Sequence, residues 1–229
     1  MKWVVACLVL LGFAASARAD EAFEARLQAI DAVAARVQDF SARFEQAKHT
    51  ALLRKPLLSS GTVKVLGATM RWDTAAPEPS VLLADGESFK MYYPRQSLLE
   101  VYPAQGAFRD LMTSPVPRLQ TLRKNFALEP LAVESLKDDA GALLDGPDRV
   151  AVRLKPTSEL LQKHVGEVRV LLDSRQAIML CMVVVDADGD RTVIRLSDVR
   201  VNSGLKPTDL SLAIPQGVKI SRPVEGGGR

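Results

Sequence analysis

GTVKVLGATMRWDTAAPEPSVLLADGESFKMYYP, residues 61–94, is a succession of short alternating runs punctuated by turn residues. The runs Gly61 to Val65, Thr69 to Asp73, Ser80 to Ala84 and Glu87 to Tyr93 read as strands, with a corner at Pro77-Glu78-Pro79. Asp85-Gly86 between two apolar runs is a hairpin signal, because glycine tolerates the positive φ of a tight turn. Alternation puts Met70 with Trp72 on one face, Val81 with Leu83, and Phe89 with Met91 and Tyr93. Such a meander carries a wall of large, soft side chains, which is either core or the lining of an apolar hollow.

Outward from this stretch the same grammar continues. Residues 20 to about 39 place Phe23, Leu27, Ile30, Val33, Ala34 and Val37 at helical spacing, predicting an amphipathic helix that docks by one stripe. From Phe40 the period changes to two, with Phe40, Ala42 and Phe44 on one side of a strand. A loop with a basic Arg54-Lys55 pair, 49–56, follows, and Leu57, Leu58 and two serines then lead into the meander. After Pro94 a strand is expected over 97–102, then short helices over 106–112 and 118–124, split by Ser114-Pro115-Val116-Pro117. Strands follow at 125–136 and 149–155 around a polar turn, 138–148, and a capped helical turn at 158–164. Three antiparallel strands follow, 166–172, 177–186 and 191–201, then a strand over 208–214 and a short one after Gly217. Roughly ten strands with few helices predict a mainly β protein: one large curved antiparallel sheet or barrel with helices on one side.

The chain has 229 residues, 47% of them hydrophobic, enough to fill one core, and 20–224 reads as a single domain with a disordered tail at 225–229. Residues 1–19 have the form of a signal peptide: Lys2, an apolar run from Trp3 to Phe13, and Ala17-Arg18-Ala19 as the cleavage site. Removing them takes away Lys2 and Arg18 and no acid, so the formal charge falls from +3 to +1. A near-neutral chain carries no electrostatic footprint for nucleic acid. Cys7 lies inside the apolar run rather than at the cleavage point, which argues against a lipid anchor. Cys181, in the run 177–185, is expected to be a small core hydrophobe.

Catalytic signatures are scarce. There is no Gly-x-Ser-x-Gly elbow, and His49 and His164 lack metal-ligand spacing, so no metal, cofactor or catalytic residue is assigned. Asp186-Ala187-Asp188-Gly189-Asp190 reads as a hairpin turn, and Glu45 and Asp73 as solvated carboxylates.

Taken in order, Asp39-Phe40-Ser41-Ala42-Arg43-Phe44-Glu45-Gln46 after a helix, Ser60-Gly61, Met70-Arg71-Trp72, the segment 77–86, Tyr92-Tyr93-Pro94 and the segment 212–218 resemble the periplasmic outer-membrane lipoprotein carriers, the LolA-type family. The resemblance implies an incomplete barrel, a strongly bent antiparallel sheet, with a helical lid enclosing an apolar cavity. It also implies a non-catalytic, periplasmic carrier of acylated lipoproteins. Such a carrier is loaded by an inner-membrane ABC-type releasing complex and unloaded at an outer-membrane receptor. Members of that family carry a lid-fastening arginine where this chain has Leu66-Gly67. On this reading the chain is a monomer whose cavity is lined by Phe40, Phe44, Met70, Trp72, Leu83, Met91 and Tyr93 from the sheet and by Phe108, Leu111 and Met112 from the lid. Two alternatives stand beside it: a carrier or sensor of other lipids (polyene, glycolipid or hopanoid-like), and a scaffold binding a peptide or protein edge.

Overall fold

The computed structural model describes residues 20–104 and 116–223. The expected signal peptide, the helix at 106–112 with Phe108, Leu111 and Met112, and the tail at 225–229 lie outside the described residues. Helix α1 (20–34) buries Leu27, Ile30 and Ala34, the stripe that its spacing predicts. It stops short of Asp39 because that residue opens β1 (Asp39–His49). The Asp39 side chain, 4% exposed, accepts from the Ser203 amide (2.8 Å), the Ser203 hydroxyl (3.0 Å) and the Gly204 amide (3.0 Å). These donors outweigh the cost of its burial and hold the carboxyl below the usual aspartate range.

From β1 the chain runs as a meander through β2 (Leu57–Leu66), β3 (Thr69–Ala76), β4 (Ser80–Ala84), β5 (Ser88–Tyr93) and β6 (Leu98–Pro103). The Asp85-Gly86 turn forms as predicted: Gly86 has φ +85°, and the Asp85 carboxylate accepts from the Ser88 amide at 2.9 Å. Helix α2 (Leu119–Asn125) leads into a second meander of β7 (Phe126–Leu131), β8 (Arg149–Pro156), β9 (Val165–Asp173), β10 (Ile178–Asp186) and β11 (Arg191–Val201). Pairing of β11 with β1 joins the two meanders into one sheet of twelve strands, ordered β12-β6-β5-β4-β3-β2-β1-β11-β10-β9-β8-β7. The last strand, β12 (Lys219–Ser221), lies parallel on β6, and every other pairing is antiparallel. An open twisted sheet this wide has to curl, and register shifts at Ser41/Arg43, Ser60/Gly61 and Met179/Cys181 are places where it bends. The sheet does not close, so the architecture is mainly β and half-barrel-like.

Both faces of the β8–β11 half are covered, which is why Val150, Ala151 and Val152 are buried in succession. Inside, α1 and α2 pack over Val150, Val152 and Leu154. Outside, the segment 133–144 covers Ala151, Leu171, Cys181, Val183 and Val193.

Two predicted strands take other forms. The strand expected over 125–136 ends at Leu131 and continues as a 3-10 turn (Val133–Leu136), helix α3 (Lys137–Ala140) and a second 3-10 turn (Gly141–Leu144). Packing drives this: Leu136 is fully buried, and Arg191 pairs with Asp139 at 2.7 Å across the outer face. The strand expected over 208–214 is instead a 3-10 turn (Pro207–Leu210), with the Lys206 amide donating to the Asp209 carboxylate at 2.8 Å. It buries Leu210 on the outer side, where Arg71 reaches the Ser211 carbonyl. Cys181 is fully buried, as expected, and burial pushes its thiol up to about 11.

Candidate ligand-binding face

Strand register defines the concave face row by row. One row runs Phe40, Val65, Met70, Ala84, Phe89, Tyr102 from β1 to β6, and the next runs Ala42, Val63, Trp72, Leu82, Met91, Glu100. A third, through Phe44, Gly61 and Thr74, ends near the Tyr93 and Leu98 pair. In the other direction the face continues through Leu196 and Ile194 to Met182, Val170 and Val152. It is a largely apolar surface, interrupted on β6 by Glu100 and Tyr102.

Cover is uneven along it. Phe40 and Phe44 are buried at 7% and 1% exposure and form the floor, with Phe44 against Trp72 at a ring separation of 4.2 Å and an interplanar angle of 33°. Gly61 makes this stacking possible, because a β-carbon there would run into the Asp73 carbonyl and lie 2.9 Å from the Phe44 ring. Met70, Trp72, Leu82, Phe89, Met91 and Tyr93 are only half-buried. The β7–β9 half lies beneath α1 and α2. Those helices are tied together by Arg118, whose guanidinium meets the Asp31 carboxylate at 2.8 and 2.6 Å, and by the Leu119 amide, which donates to Asp31 at 2.8 Å. Arg123 pairs with Glu24 beside them. Hydrogen bonding from Arg118 pulls the Asp31 carboxyl below its ordinary value.

Of the residues expected to line a cavity, Met70, Trp72, Met91 and Tyr93 share the half-exposed area, and Phe40 and Phe44 lie under it. Leu83 does not join them. It pairs with Arg71 on β3 and Lys90 on β5, so it faces the outer side, and its neighbour Leu82 takes the place between Trp72 and Met91. A strand containing two adjacent leucines does not reveal which faces inward; the pairing with β3 does, and a shift of one residue reverses it. Arg71 also faces outward, bonded to Asp73 (2.8 Å) and to the Ser211 carbonyl, so Asp73 is an ion-paired carboxylate rather than a solvated one.

Sequence reading missed Glu100 and Tyr102. Alternation over 98–102 would have placed both on the face of Leu98, and two polar groups on an apolar face were the available signal. The Tyr102 hydroxyl donates to Glu100 Oε2 at 3.0 Å. Burial, then the nearby Glu100 carboxylate, pushes the Tyr93 phenol up, and at Tyr102 the hydrogen bond to Glu100 has the same effect. Among the described residues no group of three or more His, Cys, Asp or Glu side chains is placed to hold a metal ion. No helix among them is long and apolar enough to cross a membrane.

A half-barrel with a largely apolar concave face is the class of protein that this geometry defines. The family model described as "Outer membrane lipoprotein carrier protein LolA" matches residues 35–210, and the chain belongs to that family. An outer-membrane lipoprotein carrier protein of Idiomarina loihiensis is 24% identical over 222 residues, covering 96% of this chain and 98% of that one. Another from Dechloromonas aromatica is 26% identical over 180 residues, 78% of this chain and 79% of that one. Among solved structures, an uncharacterized conserved protein from Thermus thermophilus is similar with a TM-score of 0.52 at 14% identity, over 88% of this chain and 99% of that one, a likeness of fold. A LolA superfamily protein from Nitrosomonas europaea is similar with a TM-score of 0.45 at 12% identity, over 82% of this chain and 97% of that one.

Proposed function

We propose that the protein is a non-catalytic periplasmic carrier that shields the acyl chains of lipoproteins on its concave face between the inner and outer membranes. The observation that carries this reading is the patch of incompletely buried apolar side chains on β3–β5, Met70, Trp72, Leu82, Phe89, Met91 and Tyr93, standing over a buried floor of Phe40 and Phe44. Each methylene removed from water is worth ~0.8 kcal/mol, so a multiply acylated protein leaves a bilayer at a useful rate only if its chains pass onto such a surface. Met70 and Met91 suit chains of varied length and packing, because thioether side chains adapt. Family membership and the names of the curated relatives support lipoproteins as the cargo. On this reading an ABC-type complex loads it, an outer-membrane receptor unloads it, and the carrier works as a monomer.

The test is native mass spectrometry of the exported protein, with spheroplasts of a depleted strain assayed for release of lipoproteins into the medium. Acylated protein bound to the carrier, and release restored by adding it back, is the expected result. Purification with a different lipid and no effect on release would transfer the site to that lipid. Purification of an empty chain that restores nothing would remove the carrier reading.

A further inference from the structure

The hairpin between β1 and β2 lies at one end of the sheet, beside the turn between β10 and β11. The loop 50–56 lies beyond the last β1–β11 pair, His49 with Arg191, and β2 has no β3 partner before Ser60, so Leu57–Ser59 are flanked by β1 on one side and by no strand on the other. The tip is built rather than slack: the Leu53 amide donates to the Thr50 carbonyl at 3.2 Å and the Ala51 amide to the Asp190 carboxylate at 3.4 Å. On it sit Leu52, Leu53, Leu57 and Leu58, exposed by 92%, 47%, 56% and 65%. Ile214 and Ile220, at 36% and 53%, are the other exposed large apolar residues among those described. Arg54 and Lys55 lie between the two leucine pairs, exposed and without an ion pair among the described residues.

We infer that this leucine-tipped, basic hairpin is a membrane-touching element that enters the interface of a bilayer carrying anionic phospholipid. Register sets Leu57 opposite Lys48 on the concave side of the ribbon and Leu58 opposite Ala47 on the other, so the finger is apolar on both faces. A protein groove would grip one face, whereas a lipid interface surrounds both. Arg54 and Lys55 provide attraction to anionic headgroups. The adjacent turn carries Asp186, Asp188 and Asp190. That turn lies beyond the Val185 and Arg191 pair, beside the start of the loop, where Asp186 is 4.0 Å from Lys48 and Asp190 accepts from the Ala51 amide, so two of its acids already have partners. Contact at the tip would bring one end of the concave face against the bilayer. The inference stands on the hairpin alone and does not require the carrier reading.

Flotation of the full exported chain with vesicles tests it, using phosphatidylethanolamine with phosphatidylglycerol against phosphatidylcholine alone. The protein is expected to float with the anionic vesicles, and less so in about 0.5 M salt, where surface charges are screened. Leu52→Asp with Leu58→Asp should lower the partition at least about tenfold, since charged groups are expelled from the interface. Arg54→Glu should lower it about fivefold or more, the value of one basic residue near such a surface. All these positions are solvent-exposed, so circular dichroism and melting should be unchanged, and lipid retention by native mass spectrometry reports separately on the concave face. No flotation of the unmodified protein, or equal flotation of the leucine variant, would overturn the inference. Capture of a protein partner through the tip without vesicle binding would overturn it too.

Discussion

Gly61 holds the floor of the concave face open by having no side chain. Any β-carbon there meets backbone on one side and the Phe44 ring on the other. Gly61→Ala is expected to destabilise the protein by about 1–3 kcal/mol through overpacking, read as a lower urea midpoint at unchanged slope. Glu100 bears on selectivity instead. Its carboxylate stands on the concave face with the Tyr102 hydroxyl bonded to it, and on the proposed carrier reading it would repel the headgroup of a free fatty acid but not an ester- or amide-linked chain. Glu100→Gln should therefore raise affinity for a fluorescent fatty acid about fivefold or more, with esterified chains little affected, in a displacement titration. Equal affinities in both proteins would show that headgroups never approach this carboxylate. Cys181 gives a third expectation at this scale: buried and pushed up to about 11, it should react with a disulfide reagent only as fast as the protein unfolds.

Helices α1 and α2 are joined by charge as well as by their apolar stripes. Asp31 bridges them through Arg118 and the first amide of α2, and the exposure of Arg118, 46%, holds the ion pair to about 1 kcal/mol in water. Asp31→Ala is expected to raise amide hydrogen exchange across α1 and α2 while leaving β8–β11 protected; uniform protection would mean that the apolar stripe alone fixes the helices. The elements most legible in the sequence were those whose signal is local. The β1–β5 meander, the Asp85-Gly86 turn and the α1 stripe depend on periodicity and turn chemistry alone. Residues 132–136 and 207–210 were not legible, because contacts with distant strands shape them: Leu136 against Leu171 and Val183, and Leu210 on the outer side of β2 and β3. The exchange of Leu83 for Leu82 has the same origin, since the parity of β4 is fixed by its partner.

At the scale of the molecule, acid should act in one direction. Asp31, Asp39 and Asp85 all have folded carboxyls below the ordinary range, so the native state binds fewer protons than the unfolded chain near pH 4. Their contribution is complete above the unfolded value of about 3.9 and is lost as pH falls through the lower folded values. Melting temperature is expected to hold level from pH 7 to about 5 and then fall, with Asp39→Asn already lower at neutral pH and less acid-sensitive. A flat profile down to pH 3 would mean that these carboxyls are not more acidic in the folded chain. The strand β12, finally, takes up part of the hydrogen-bonding margin of β6: the Lys219 amide donates to the Ser97 carbonyl at 2.8 Å, with Ile220 beside Leu99. By supplying its own last rung, the polypeptide denies that rim to a sister molecule. Truncation before Lys219 would leave Leu98–Pro103 without this neighbour and is expected to promote edge-to-edge pairing between copies, read as a larger species in gel filtration.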